Sequence, residues 1–190
     1  MLKFAITGNI ASGKSTVKKF IEEFLSIKIL CLDEVTKEIY SNNRQFRNFL
    51  IENFYTTNKT EISSIVFSNP DKLRLLNDFI HPLIRDELFQ YFNKNTEKNF
   101  VFVDVPLLFE AKFDIYFDKI LFVSSNENLR LIRLQKRNNL SKSEAIKRIN
   151  AQINEEYKIN KSDYVIKNNG TIDELKKQVY TFTEKIKPLL

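Results

Sequence analysis

The hydrophobic positions of this chain fall into two kinds of pattern. Short apolar runs, typical of strands buried on both faces, alternate with longer stretches in which apolar residues recur every three or four positions, as in an amphipathic helix. This alternation predicts an α/β protein with three layers, in which helices cover both faces of a five-stranded parallel sheet. The predicted strands are Lys3–Thr7, Lys28–Leu32, Phe100–Val105, Lys119–Val123 and Tyr164–Lys167.

Two segments of helical pattern are longer than a simple connection between parallel strands requires. They predict a helical insertion over residues 34–97 and a helical hairpin over residues 128–157 of a single domain. In the hairpin, Ser141 and Glu144 have the spacing of a capping box, which predicts a helix that continues to about Tyr157. The predicted core is formed by residues 1–33, 98–127 and 158–190, and its last helix runs from Ile172 to Ile186.

The segment behind the first strand carries a complete phosphate-binding loop. Residues 8–15 match the spacing of two glycines followed by Lys-Ser between a strand and a helix. Backbone N–H groups in such a loop, at a helix N-terminus, bind phosphate oxygens, while the lysine reaches the β- and γ-phosphates and the Ser15 hydroxyl binds Mg²⁺. The residues predicted to bind ATP here are Gly8, Ala11, Ser12, Gly13, Lys14, Ser15 and Thr16.

Ligands of such sheets bind at the carboxyl ends of the strands, where two aspartates are found. Asp33 comes at the end of the second predicted strand, and its carboxylate suits a general base that accepts a proton from an attacking alcohol. A helix N-cap is the alternative for Asp33, and the two roles are compatible. Asp104 follows an apolar run and occupies the position of a carboxylate that holds Mg²⁺ through water.

Other charged residues leave more than one interpretation open. Arg133 and Arg137 are four positions apart and share a helical face, which suits either a transferring phosphoryl group or simple exposure to solvent. His81 precedes Pro82, which predicts that it lies between the end of one helix and the start of the next. A structural role is favoured for His81 over a functional one, and a metal cluster is excluded because no Cys or His partners are nearby.

The composition narrows the class of protein only slightly. The formal net charge is +6, but most basic residues alternate with acids along helices instead of clustering with aromatic residues, so no nucleic-acid partner is predicted. Cys31 is the only cysteine, which excludes an intrachain disulfide and favours a reducing compartment. With no signal-peptide pattern and no long apolar run, we expect a cytoplasmic protein without membrane association.

Several motifs, in order and at matching spacing, carry a resemblance to the dephospho-CoA kinase family along nearly the whole chain. The phosphate loop is common to many kinases, whereas Val-Pro-Leu-Leu-Phe-Glu and Arg-Ile-x-Ala-Gln are much narrower signatures. The matching segments are Ile6-Thr7-Gly8, Leu32-Asp33-Glu34, His81-Pro82-Leu83-Ile84-Arg85, residues 105–110, Arg133 with Arg137, residues 148–152 and residues 162–170.

The resemblance implies ATP-dependent phosphorylation of the ribose 3′-hydroxyl of dephospho-coenzyme A, with Mg²⁺ as the cofactor. It implies that Asp33 is the general base and that Lys14, Arg137 and Mg²⁺ stabilise the transferring group. It also implies that the first insertion binds the acceptor and that the hairpin is a lid. The acceptor pocket would contain Thr7, Asp33, His81, Arg85 and Leu108, and ATP would also contact Arg137, Asn168 and Gly170.

Three positions depart from the usual family pattern. Cys31 replaces an Asp, Asn9 replaces a second loop glycine, and Lys167 replaces an Asp beside the adenine-side Asn. The alternatives are another small-molecule or nucleotide kinase, or a nucleotide-gated binding protein. GTPase function is disfavoured, because the guanine-reading pattern at residues 160–163 precedes a strand instead of following one. The sequence leaves monomer and weak oligomer equally open.

Overall fold

A computed structural model describes residues 1–189 and divides the chain into two compact units. The first combines Met1–Cys31 with the described residues from Thr96 onward, and the second is Leu32–Asn95. The second unit spans nearly the same residues as the predicted insertion. Within residues 1–189, no helix is both long and apolar enough to cross a membrane.

The first unit is built on a parallel sheet of five strands, which confirms the predicted fold class. The strand order is β2-β3-β1-β4-β5, so that β1 lies at the centre. Strand β2 is shorter than predicted at both ends, and a helix begins directly after it at Leu32. The strands are β1 Leu2–Gly8, β2 Leu30–Cys31, β3 Phe100–Asp104, β4 Lys119–Ser124 and β5 Tyr164–Lys167.

The α-helices of residues 1–189 alternate with these strands or follow one another in the two insertions. They are α1 Lys14–Leu25, α2 Leu32–Asn42, α3 Arg44–Phe54, α4 Lys59–Ser68, α5 Pro70–Asn93, α6 Glu127–Asn138, α7 Lys142–Asn150, α8 Glu155–Asn160 and α9 Ile172–Ile186. Short 3-10 turns occupy Asp114–Tyr116 and Lys187–Leu189.

Apolar side chains of β1 and β3 form the core of the first unit together with helices α1 and α9. The rings of Phe4 and Phe102 stack with centroids 4.6 Å apart. Val179 and Phe182 of α9 pack into the same cluster. This packing fixes β1 and α1, and therefore fixes both ends of the loop that joins them.

The single helix predicted from Ser141 to about Tyr157 is wrong. The Ser141–Glu144 capping box is present, but α7 ends at Asn150 and α8 begins at Glu155. Polar contacts outside the helical ladder stabilise the break. The Asn154 side chain accepts the Glu156 N–H at 2.7 Å to cap α8, and the Ile153 N–H donates to Glu110 at 3.2 Å.

The second unit is a group of four helices with an aromatic core, as the helical spacing of its apolar residues predicts. Phe46 and Leu50 are buried, and the rings of Phe49 and Phe79 stack at 4.1 Å. The helix boundary predicted at His81-Pro82 is wrong, because Pro82 lies inside α5. Buried positions four residues apart continue across it, so packing outweighs the backbone hydrogen bond that proline removes. Those positions are Leu76, Ile80, Ile84, Leu88 and Phe92.

Candidate active site

The phosphate loop connects the centre of the sheet to the N-terminus of α1. Gly13 has φ 93°, and a Cβ added there would lie 2.1 Å from the side-chain Nδ2 of Asn168. At Gly8 an added Cβ would lie 2.6 Å from the Val123 carbonyl oxygen. No side chain caps α1 at Gly13, which leaves this helix N-terminus suited to an anionic ligand.

Side chains from outside the loop hold its backbone in place. The buried Asn168 side chain donates to the Ser12 carbonyl at 2.8 Å, and the Ile10 N–H donates to the Gln152 side chain at 2.7 Å. Asn9 is also buried and bonds through its side chain. These contacts fix the shape of the loop, and Asn168 contributes to that shape.

Lys14 and Asp104 join the loop to the end of β3. The Lys14 ammonium donates to the carboxylate of Asp104, which is only 3% exposed. The thiol sulfur of Cys31 lies 3.7 Å from the other carboxylate oxygen. Ser15, the second residue of α1, is exposed. A lysine, a carboxylate and a hydroxyl that can serve a phosphate and its metal ion are thus all anchored on the first unit.

Helices α6 and α7 pack against the phosphate loop. Leu134, Ala145 and Ile149 form a small core, and Ile10 and Ala11 of the loop pack against it. This contact brings the predicted hairpin into direct contact with the loop.

The two predicted arginines of α6 have different surroundings. Arg133 donates to the Ser125 hydroxyl at 3.0 Å and to the Asn168 carbonyl at 3.2 Å. Arg137 is exposed, and its Nε donates to the Asn138 side chain at 2.9 Å. The first is engaged with the loops that follow β4 and β5, whereas the second extends into solvent.

The remaining predicted residues of the first unit are also located. Thr7 is buried, and its hydroxyl lies 3.5 Å from the Pro106 carbonyl, to which it donates. Leu108 is fully buried. Thr16 lies in the first turn of α1, and Gly170 is exposed between β5 and α9.

Three predicted site residues belong to the second unit. Asp33 is the second residue of α2 and is exposed, so the predictions of a strand end and of an N-cap are both wrong. In the first helical turn its negative charge is favoured by the helix dipole. Burial lowers the pKa of His81, an effect partly offset by the charge of Asp78. The Arg85 Nε lies 3.7 Å from Asp86.

A polar network behind the phosphate loop was missed by the sequence interpretation. Lys158 is 1% exposed, and its ammonium donates to Asn9 at 2.9 Å and to Glu110 at 2.6 Å. Glu110 and Gln152 lie in two of the family signatures, but a signature does not indicate what a side chain contacts. Lys158 stands among alternating charges, so its spacing gave no sign of burial.

The sheet order, the phosphate loop and its paired lysine define a P-loop kinase of the three-layer α/β type. The dephospho-CoA kinase family model matches residues 2–174. A dephospho-CoA kinase from Fusobacterium nucleatum is 36% identical over 188 residues, which cover 95% of this chain and 96% of the relative. The chain therefore belongs to the dephospho-CoA kinase family, and its activity is that of the kinase that completes coenzyme A biosynthesis.

Solved structures match the fold over nearly the whole chain. A crystal structure of a Thermus thermophilus protein matches with a TM-score of 0.84 and 28% identity, over 97% of each chain. The dephospho-CoA kinase from Campylobacter jejuni matches with a TM-score of 0.73 and 25% identity, over 98% of this chain and 97% of that one. The relatives give no support to a nucleotide-gated binding protein or to another kinase.

Proposed function

We propose that this enzyme transfers the γ-phosphoryl group of ATP to the ribose 3′-hydroxyl of dephospho-coenzyme A, with Asp33 as the general base. The observation that carries the proposal is the preformed phosphate loop, with Lys14 at the start of α1 held beside Asp104. Both substrates are small molecules. We propose a cytoplasmic enzyme, monomeric or weakly oligomeric, with no nucleic-acid or membrane partner.

On the nucleotide side, loop amides and the N-terminus of α1 bind the phosphates of ATP. The glycines at positions 8 and 13 leave no Cβ in the way, and Ala11, Ser12 and Thr16 complete the loop and the first helical turn. The ammonium of Lys14 exchanges its bond with Asp104 for bonds to the β- and γ-phosphates. This exchange keeps the lysine paired with negative charge before and after binding.

The available donors around the loop fit Mg²⁺. The Ser15 hydroxyl and the Asp104 carboxylate, acting through water, are hard oxygen donors, which this ion prefers. Residues 1–189 contain no group of three or more His, Cys, Asp or Glu side chains placed to hold a metal. A magnesium site that relies on substrate phosphates needs only one or two protein ligands. When bound, the ion neutralises charge on the transferring phosphoryl group.

The acceptor hydroxyl requires a base, and the exposed Asp33 carboxylate supplies one. Asp33 is separated by a single residue from Cys31, which pairs in register with Asp104 at the carboxyl ends of β2 and β3. Carboxyl ends of strands are where ligands of such sheets bind. The carboxylate accepts the 3′-hydroxyl proton as the new O–P bond forms and the bond to the ADP oxygen breaks.

The remaining predicted contacts divide between ATP and the acceptor. The exposed guanidinium of Arg137 stabilises charge on the transferring phosphoryl group, and residues 168–170 lie against the adenine through backbone and glycine surfaces.

On the acceptor side, Arg85 binds acceptor phosphates, to which a planar guanidinium is well matched. Thr7, His81 and Leu108 are the other residues that we propose for the acceptor side, and Thr7 and Leu108 are buried, so they act by supporting their neighbours. Residues 34–97 provide the acceptor-binding part and residues 128–157 the lid.

A coupled assay of ADP formation with a panel of acceptors tests the proposal. The purified protein with ATP and Mg²⁺ should form ADP at a substantial rate only when dephospho-coenzyme A is added. Nucleosides, nucleoside monophosphates and shikimate serve as smaller acceptor controls. Turnover of a nucleoside monophosphate without turnover of dephospho-coenzyme A would contradict the proposed acceptor.

A further inference from the structure

The carboxylate of Glu155 joins three separate parts of the first unit. One of its oxygens accepts the Asn9 side-chain N–H at 2.9 Å and lies 3.2 Å from the guanidinium of Arg130. The other accepts the Ser124 hydroxyl at 2.5 Å. Glu155 therefore connects the phosphate loop, the end of β4 and helix α6 directly.

The Asn9 amide is held in one orientation by partners of opposite charge. Its nitrogen donates to Glu155, and its oxygen accepts from the ammonium of Lys158 at 2.9 Å. A flipped amide would turn its oxygen toward a carboxylate and its NH₂ group toward an ammonium, which removes both bonds. Asn9 is 5% exposed, so water cannot readily replace them.

Arg130 belongs to helix α6 and connects that helix to Glu155. The residue is 4% exposed, and its Nε donates to the Ser125 carbonyl at 3.0 Å. Arg133 is one turn further along α6 and bonds to Ser125 and Asn168. Because Asn168 also donates to Ser12 in the phosphate loop, α6 is connected to both halves of that loop.

We infer that Asn9 and Glu155 are positioning residues for ATP, which hold helix α6 and the phosphate loop in the relative arrangement that binds the nucleotide. This inference rests on the proposed function, because it concerns the same nucleotide. Neither side chain needs to touch ATP.

A double-mutant cycle tests the connection. Asn9→Ala and Glu155→Gln should each raise the Kd of a non-hydrolysable ATP analogue about tenfold, since each removes one or more buried hydrogen bonds. The double variant should lose less affinity than the product of the two single losses, because both changes break the Asn9–Glu155 bond. The KM for dephospho-coenzyme A should stay near the wild-type value. Glu23→Gln, which alters an exposed pair with Lys176, is the matched control.

A charge rescue separates positioning from a loss of folded protein. Asn9→Asp places a second carboxylate beside that of Glu155, and their repulsion should weaken nucleotide binding more than Asn9→Ala does. Adding Glu155→Gln removes this repulsion and should restore part of the affinity. Multiplicative losses in the double variant would overturn the inference. So would a lower Tm with unchanged affinity per folded molecule. The analogue is bound without acceptor, so failure of the wild type to phosphorylate dephospho-coenzyme A would be a separate result.

Discussion

The ammonium of Lys14 is bonded to the carboxylate of Asp104, which links the start of helix α1 to the last residue of β3. Ile6 of β1 pairs in register with Asp104, so the carboxylate lies beside the strand that leads into the phosphate loop. The pair holds the lysine beside the loop.

Replacement of Lys14 by Met should reduce kcat/KM for ATP by at least about 100-fold, because it removes a charge that stabilises the transferring phosphoryl group. The change also leaves Asp104 buried without its cation, so the Tm should fall. Steady-state kinetics and thermal unfolding measure the two effects. Lys176→Met, at an exposed pair, should alter neither appreciably. Near-normal turnover in Lys14→Met would contradict the assigned role.

Replacement of Asp33 by Asn should lower kcat by about 100-fold or more, because the amide cannot accept the hydroxyl proton. The affinity for ATP should change little. Single-turnover kinetics and equilibrium nucleotide binding check these two outcomes. Glu34→Gln, the neighbouring exposed carboxylate in the same helical turn, is the control. Undiminished kcat in the Asn variant would remove Asp33 from the role of base.

Replacement of Lys158 by Met should lower the free energy of unfolding by about 3 kcal/mol, because it leaves the Glu110 carboxylate without its buried cation. Adding Glu110→Gln should recover part of that loss, because the orphaned charge is removed. Urea unfolding of the two variants measures the difference. If Glu110→Gln lowers the unfolding free energy of the Lys158→Met variant as much as it lowers that of the wild type, the two side chains are not coupled as described.

Replacement of Gly8 by Ala should destabilise the protein and weaken ATP binding together. The added methyl would lie 2.6 Å from the Val123 carbonyl oxygen, which belongs to a central strand and has little room to move. Gly170→Ala is the comparison, since its methyl would meet only the end of the Glu174 side chain, which caps α9. Loss of that cap should cost about 1 kcal/mol of stability. Because Gly170 also belongs to the proposed adenine site, its replacement should weaken ATP binding, but less than Gly8→Ala does. Thermal unfolding and analogue binding separate the two variants.

Acidification should lower the free energy of unfolding in part through protonation of His81. Burial lowers its pKa in the folded protein, so the unfolded chain takes up a proton more readily. The contribution of His81 is therefore fully present above its ordinary pKa of about 6.5 and is lost as the pH falls through the lower folded value. The unfolding free energy should fall more steeply between about pH 7.5 and 5.5 in the wild type than in His81→Gln. Parallel slopes would contradict this.

Sequence patterns were most informative where one physical rule dominated. The buried apolar runs predicted the sheet, and the spacing of Gly8, Gly13 and Lys14 predicted the phosphate loop, because strand burial and phosphate geometry leave few alternatives. Prediction failed where tertiary contacts outweighed local signals. Pro82 lies inside α5 because its neighbours continue a buried face, and the turn before Glu155 ends a helical pattern because Glu110 binds its backbone.

The polar network around Asn9 shows a different limit. Glu155 and Lys158 read as ordinary helix-surface charges, since nothing in their local spacing distinguishes a buried lysine from an exposed one. Their partners are far away in the sequence, at Asn9, Ser124 and Arg130. Such contacts become visible only when the strands are assembled. The role of Asp33 as the base likewise stays a prediction.

The strand order has a consequence for synthesis of the enzyme. Strand β1 is synthesised before its partners β3 and β4, which end only at Asp104 and Ser124. Helices α2–α5 have nearer partners along the chain and can form before β1 is paired, because local contacts form faster than distant ones. We therefore expect a nascent chain to bind ATP only after β3 and β4 have been synthesised, although the phosphate loop precedes both strands in the sequence.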